Sequence, residues 1–277
     1  MWFFEILKAI LLGIVEGITE WLPVSSTGHM ILLDELVRLD VSDEFKEMFL
    51  VVIQLGAILA VPLMFWDKLY PFSKKKSKEE NGKILKLWLR VIVGVIPAGV
   101  LGVLLDDFFD EHFYNFYVVA IALVVYGVGF ILVERFRRGK EYRINDVYDI
   151  TYKDALIIGS YQVLSLIPGT SRSGSTILGG MLSGVSRTAA SEFSFFMAIP
   201  VMLGASLLKV LKFFIAGVTV SGLELALLLV GIVVSFAVSV VAIKFLMDFV
   251  KKHEFTPFGI YRIVLGVVIL LYFFITR

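Results

Sequence analysis

Cysteine is absent from the 277 residues. That excludes disulfides and thiolate chemistry, and leaves oxygen and imidazole as the only ligands a metal could find. Charge is also scarce: Asp, Glu, Lys and Arg make up 18% of the chain, and 26 basic against 25 acidic side chains leave a formal net charge of +1. A nucleic-acid partner would want a basic stripe or face, and that balance gives no reason to propose one. The opening run Met1-Trp-Phe-Phe-Glu5-Ile-Leu-Lys8 lacks a positive start, and no small-residue cleavage site follows it. It therefore reads as a retained helix and not as a secretory leader. What fills the chain instead is apolar residue, 58% of the total. This is too apolar for a soluble domain of this size and predicts an integral membrane protein.

Six stretches are long and clean enough to cross a bilayer, which takes roughly 20 mostly apolar residues. They begin near Met48, Leu87, Phe116, Phe193, Leu223 and Phe258, and end near Trp66, Leu105, Val133, Leu211, Met247 and Ile275. Two more are shorter and broken by Pro and Gly: Ile6 to Leu22 followed by Val24 to Leu39, and Ala155 to Ile167 followed by Ser173 to Val185. Each reads as a helix, a turn and a second helix. A non-helical turn at membrane depth is tolerated only beside a cavity or packed protein. The expected fold is thus an all-α polytopic membrane protein with six transmembrane helices and two re-entrant helix-loop-helix hairpins.

Lysines and arginines crowd residues 67–90 and 135–143 and recur at Lys251 and Lys252, so these loops should face the cytoplasm. The acidic loop Asp106 to Glu111 should fall on the other side. The halves also resemble each other. Pro23 and Pro168, Ser26 and Ser171, and Glu47 and Glu192 are each 145 apart, and Gly13-x-x-Glu16 parallels Gly159-x-x-Gln162 one residue out of register. Repeats 1–138 and 150–277, with three spanning helices each, would be inverted relative to one another. Such folds place their sites at the repeat interface near mid-membrane, and both termini would lie outside.

Charged groups at membrane depth are costly, so those inside the apolar runs are candidate functional residues. Glu16 and Glu20, four apart, share one helix face. Two carboxylates beside a cavity could bind a hard divalent cation such as Mg²⁺ or Ca²⁺, or act as acid and base, and the spacing does not choose between these. Ser25-Ser26-Thr27-Gly28-His29 opens the second hairpin helix. Capping explains one hydroxyl there, while a hydroxyl with an imidazole in reach is what an activated nucleophile needs. In Pro168-Gly-Thr-Ser171-Arg172-Ser173-Gly174-Ser-Thr176, the residue after Gly174 is Ser where a nucleotide P-loop has Lys, and no strand precedes it. What remains is an anion site: N–H groups at a helix start, with Arg172 as a cationic fork. Gln54, Glu47 and Glu192 are secondary candidates.

Glu16-x-x-x-Glu20, Pro-Val-Ser-Ser-Thr-Gly-His29 and Pro168-Gly-x-Ser171-Arg172-Ser173-Gly-x-Thr176 resemble the two signature regions of the undecaprenyl-pyrophosphate phosphatase family, the bacitracin-resistance type. Val51-Val-Ile-Gln54-Leu-Gly-Ala-Ile and Gly184-Val-Ser-Arg187-x-Ala-Ala-Ser-Glu192-Phe-Ser-Phe are similar too, so the resemblance covers the whole chain. It implies a bacterial inner-membrane enzyme that removes the terminal phosphate of a C55 polyprenyl pyrophosphate to recycle the cell-wall lipid carrier, with a site open to the outer side. It also implies sensitivity to bacitracin, which sequesters the substrate. Carried over by position, Ser26 is the nucleophile, Glu20 and His29 its acid and base partners, and Glu16 a metal or base ligand. Arg172 with Ser171, Ser173 and Thr176 forms the phosphate cradle, to which Ser25, Thr27 and Gly174 are candidate additions. The rival class is a secondary transporter or lipid flippase, which needs ligands but no hydroxyl beside a base. Gly94, Gly99 and Gly102 could pack helices within one chain or between two, as in a homodimer.

Overall fold

The fold is taken from a computed structural model that describes residues 2–113 and 115–276, without the side chains of residues 106, 107 and 110. Met1 and Arg277, the ends expected outside, lie beyond the described residues, as do the side chains of Asp106, Asp107 and Asp110. Among the described residues the architecture is helical, with no strand and one isolated bridge between Ile144 and Val185.

Among the described residues six helices are long and apolar enough to cross a membrane: α3 (Asp43–Met64), α5 (Lys78–Phe113, its apolar part ending at Leu105), α6 (Phe116–Arg137), α9 (Arg187–Ile215), α10 (Gly222–Val250) and α11 (Thr256–Thr276). They are the six expected spans, several extended by polar turns. Hydroxyl caps explain three of the earlier starts, with Ser42, Ser186 and Ser221 each accepting from an N–H of the first turn, and Asn115 caps α6 in the same way at its expected start. The acidic stretch 106–111 is no loop but the end of α5. A helix closes its backbone bonds internally, so polarity alone does not end it where Gly and Pro are absent.

The interrupted stretches are two pairs of shorter helices, α1 (Trp2–Thr19) with α2 (Ser26–Leu36), and α7 (Tyr152–Val163) with α8 (Arg172–Leu182), while α4 (Trp66–Leu69) is a single turn. Among the described residues, neither pair contributes a helix long and apolar enough to span. Helix α1 packs on α10 and α7 on α5; α3 lies against α9 and α10, and α6 runs along α11. The central core gathers Trp21, Phe130, Phe193, Phe195, Phe196 and Phe255, all fully buried, with Trp21 edge-on to Phe195 at 5.1 Å.

Small residues set how closely neighbouring helices approach one another. A Cβ on Gly159 of α7 would fall 1.9 Å from the carbonyl oxygen of Gly94 in α5, and one on Gly56 of α3 would fall 2.2 Å from that of Ile232 in α10. Gly94 is thus used within the chain, and Gly102 faces Leu166, while Gly99 meets only Val95 of its own helix. Because the obstacle at Gly159 and Gly56 is backbone, Gly159→Ala and Gly56→Ala should each cost about 1–3 kcal/mol through overpacking. Gly204→Ala, where a methyl meets nothing within 4 Å, should not. Thermal unfolding of the purified protein in detergent compares the three, and equal midpoints would refute the close-packing account.

Candidate active site

Each short pair turns on a serine in a conformation that L-residues rarely adopt. Ser25 has φ +73° and Ser171 φ +72°, and they are the only described non-glycine residues with positive φ. Such a conformation costs on the order of 1–3 kcal/mol and persists only where the surroundings over-determine it. Here the hydroxyl of Ser25 accepts from the Gly28 N–H at 3.3 Å, and that of Ser171 from the Gly174 N–H at 3.1 Å. Each serine therefore caps the helix that follows. The two turns match at an interval of 146: Ser25 with Ser171, Gly28 with Gly174, Glu16 with Gln162. Ser171 is thus the counterpart of Ser25, not of Ser26, and Arg172 stands where Ser26 does, at the first position of its helix.

Arg262 of α11 brings the turns together. It is fully buried, and its guanidinium donates to the Pro23 carbonyl oxygen at 3.1 Å and to those of Gly169 and Thr170 at 2.9 Å. One side chain thus satisfies backbone acceptors from both turns, where no helix partner exists. Ser173 adds a second tie, its hydroxyl 3.1 Å from the Glu20 carbonyl oxygen. Thr176 lies within 3.1 Å of the carbonyl oxygens of Arg172 and Ser173 and 2.7 Å from the Ser194 hydroxyl. Ser173 and Thr176, expected in the phosphate cradle, spend their hydroxyls on protein groups and are buried. They hold the turns.

Between the turns lies the reactive cluster. Ser26 Oγ donates to Glu20 Oε2 at 3.0 Å, and Arg172 Nη2 donates to Glu20 Oε1 at 3.1 Å. Arg172 Nη1 is steadied by the Ser194 carbonyl oxygen at 2.9 Å. Glu20 is mostly buried, Ser26 half-buried. One carboxylate therefore carries the hydroxyl on one oxygen and the cation on the other, across the two halves of the chain. The first-turn N–H groups of Ser26 and Thr27, and of Arg172 and Ser173, make no backbone hydrogen bond among the described residues, so two helix starts present donors at one place.

His29 makes no hydrogen bond to Ser26 among the described residues. Its Nδ1 is 2.7 Å from the Ser25 carbonyl oxygen and its Nε2 2.6 Å from the Tyr261 hydroxyl. The imidazole faces α11, and the partner of Ser26 is Glu20. Glu16 is buried beside this cluster with Oε1 unpartnered, and Gln162, its counterpart, is buried with both amide atoms unpartnered. An orphaned buried carboxylate oxygen suits a hard cation. Among the described residues, however, no three His, Asp or Glu side chains converge as a metal site. The secondary candidates fall elsewhere: Glu47 is exposed and pairs with Lys209 at 2.7 Å, and Glu192 is held by Lys68 at 2.7 Å. Gln54 is half-buried on α3 and takes no part in the cluster's bonds. Arg262, Tyr261 and Ser194 escaped the motif reading. Arg262 was detectable, since a lone arginine within an apolar span is the same anomaly that singles out Glu16.

A multi-pass helical protein that places a carboxylate-bound serine, a guanidinium and two helix starts around one point belongs to the class of membrane proteins equipped to handle phosphate. More particularly, the family described as Bacitracin resistance protein BacA matches residues 9–268, and the chain belongs to it. The undecaprenyl-diphosphatase of Desulfitobacterium hafniense (strain DSM 10664 / DCB-2) is 57% identical over 270 residues, 97% of this chain and 96% of that protein. That of Enterococcus faecalis (strain ATCC 700802 / V583) is 54% identical over 272 residues, 98% and 99% of the two chains. Undecaprenyl-diphosphatase 1 of Clostridioides difficile (strain 630) is 57% identical over 271 residues, 98% and 97%.

Removing Arg262 should leave three buried carbonyls without their donor, at about 1–3 kcal/mol for each orphaned group. Arg262→Met is expected to lower the unfolding midpoint well below that of Arg138→Met, which removes a surface pair at 3.5 Å worth about 0–1 kcal/mol. Comparable midpoints would mean that the staple is not structural.

Proposed function

We propose that this protein hydrolyses undecaprenyl (C55) pyrophosphate to undecaprenyl phosphate and inorganic phosphate, with Ser26 as nucleophile. The observation that carries the reading is the Ser26–Glu20–Arg172 constellation: a hydroxyl bonded to a base at 3.0 Å, and a phosphate-seeking guanidinium held 3.1 Å from the same carboxylate. Glu20 takes the Ser26 proton as Oγ attacks the terminal phosphorus and the bridging P–O bond breaks. The lipid monophosphate leaves, and Ser26 carries the phosphoryl group. Water then attacks, its proton passes to a base, and Ser26 recovers its own proton from Glu20. Most of the barrier is lowered by positioning and charge. Arg172 and the first-turn N–H groups of α2 and α8, those of Ser26, Thr27, Arg172 and Ser173, supply the positive field. Glu16 and Glu20 are the residues that would hold a divalent cation, which would neutralise phosphate charge.

The topology proposed with this chemistry has α1–α2 and α7–α8 as re-entrant hairpins entering from opposite faces, in inverted repeats 1–138 and 150–277. The exchange of packing partners supports it: α1 on α10 answers α7 on α5, α3 on α10 answers α9 on α5, and α6 meets α11. Basic loops then face the cytoplasm, and both ends and the site face the outer side of the bacterial inner membrane. Bacitracin would act by sequestering the lipid substrate. Tags fused to either end should label from outside in intact cells; labelling only after permeabilisation would refute the inversion.

Phosphate release from a polyprenyl diphosphate by the purified protein tests the activity. Ser26→Ala should lower kcat by about 10³-fold or more, and Arg172→Lys by about 10²–10³-fold with little change in KM. Near-normal turnover of Ser26→Ala would replace the covalent route with direct attack by water. Loss of activity in chelator, restored by Mg²⁺, is expected if the cation takes part; unaffected release would remove it from the scheme.

A further inference from the structure

Tyr261 and Arg262 are neighbours on α11, and both reach the site. Arg262 enters the two turns, while Tyr261 meets His29, with the rings parallel within 8° and their centroids 5.6 Å apart. The contacts at the two ends of the imidazole settle its tautomer. A carbonyl oxygen only accepts, so Nδ1, 2.7 Å from the Ser25 carbonyl, carries the proton. Nε2 of the neutral ring is then a lone pair, and the Tyr261 hydroxyl donates to it at 2.6 Å. The two ends also differ in access. Ser25 is 1% exposed, whereas Tyr261 is 47% exposed, so Nε2 lies on the less buried side of the ring. Any proton that His29 takes from a reacting water must therefore arrive at Nε2, where the phenol now sits. Ser26 does not compete for it, since its own proton is directed to Glu20.

We propose that Tyr261 is a positioning residue for His29, holding the imidazole in the Nδ1–H tautomer with Nε2 presented on the less buried side of the ring. The inference rests on the phosphatase reading and assigns the base of its second step. As a water oxygen bonds to the phosphorus of phosphoserine 26 and the P–Oγ bond breaks, the water proton goes to Nε2, which the phenol yields by rotation. Oγ recovers its proton from Glu20, and the imidazolium later releases its proton to solvent. A purely structural role, in which Tyr261 only stacks α11 against α2, would be served equally well by phenylalanine.

The test compares wild type, Tyr261→Phe, His29→Asn and the double variant on a polyprenyl diphosphate, after thermal unfolding has shown that all four are folded. Asn keeps a donor for the Ser25 carbonyl and Phe keeps the stacked ring. Tyr261→Phe is expected to lower kcat about tenfold with KM within twofold, and to cost nothing further in the His29→Asn background, because groups that act as one unit are not additive. Wild-type kcat in Tyr261→Phe, or full multiplication of the two losses, would overturn the proposal. Without substrate, ¹⁵N-histidine spectra of the same proteins, assigned by the signal missing in His29→Asn, should show the Nε2 resonance of His29 moving downfield in Tyr261→Phe as it loses its donor. An unmoved resonance would overturn the contact itself. A wild type that releases no phosphate would instead defeat the phosphatase reading, with the spectra still deciding the Tyr261–His29 pair.

Discussion

Two broken turns buried in the middle of an apolar protein leave backbone carbonyls that no helix can satisfy, and each such group costs several kcal/mol where water is absent. Arg262 answers this constraint. Its guanidinium reaches Pro23 in one turn and Gly169 and Thr170 in the other, so one side chain from a third element satisfies three acceptors. Among the described residues it has no carboxylate partner, and an acid there would compete with the carbonyls for its donors. A planar fork of five N–H groups suits this work, since it can serve several acceptors in different directions at once.

The staple places two unlike helix starts side by side. Both are capped in the same way, by a serine at positive φ, yet their first residues differ: Ser26 on α2 and Arg172 on α8. The same scaffold thus delivers a hydroxyl from one half and a cation from the other, and Glu20 bonds to both. In the Glu16 and Gln162 pair the divergence runs the same way, a carboxylate against a neutral amide.

Much of this was readable along the chain, because the bilayer imposes length and apolarity locally. The six spans, the two interrupted stretches and the polar residues inside them follow from composition read window by window. The limits were local too. The acidic run 106–111 suggested a loop, whereas backbone bonding carries α5 through it. Ser26 and His29, three apart on one helix face, suggested a hydroxyl and its base, but the hydroxyl bonds to Glu20 instead. His29 went to Tyr261, 232 positions away. Ser173 and Thr176 looked like ligands from their motif, and only the packed turns show their hydroxyls committed to protein partners.

What the sequence by itself determined is the kind of environment and the reagents: a membrane interior, two polar interruptions, and the serine, carboxylates, histidine and arginine they contain. These follow from rules that act on near neighbours. Which groups pair was decided by the tertiary structure alone. Glu20 with Ser26 and Arg172, His29 with Tyr261, and Arg262 across both turns are contacts mostly between residues more than ninety positions apart. Their formation depends on how closely glycine-faced helices approach and on which donors are left to fill buried acceptors. Those quantities exist only once the chain is packed, since a carbonyl becomes an unmet demand when water has been excluded from it.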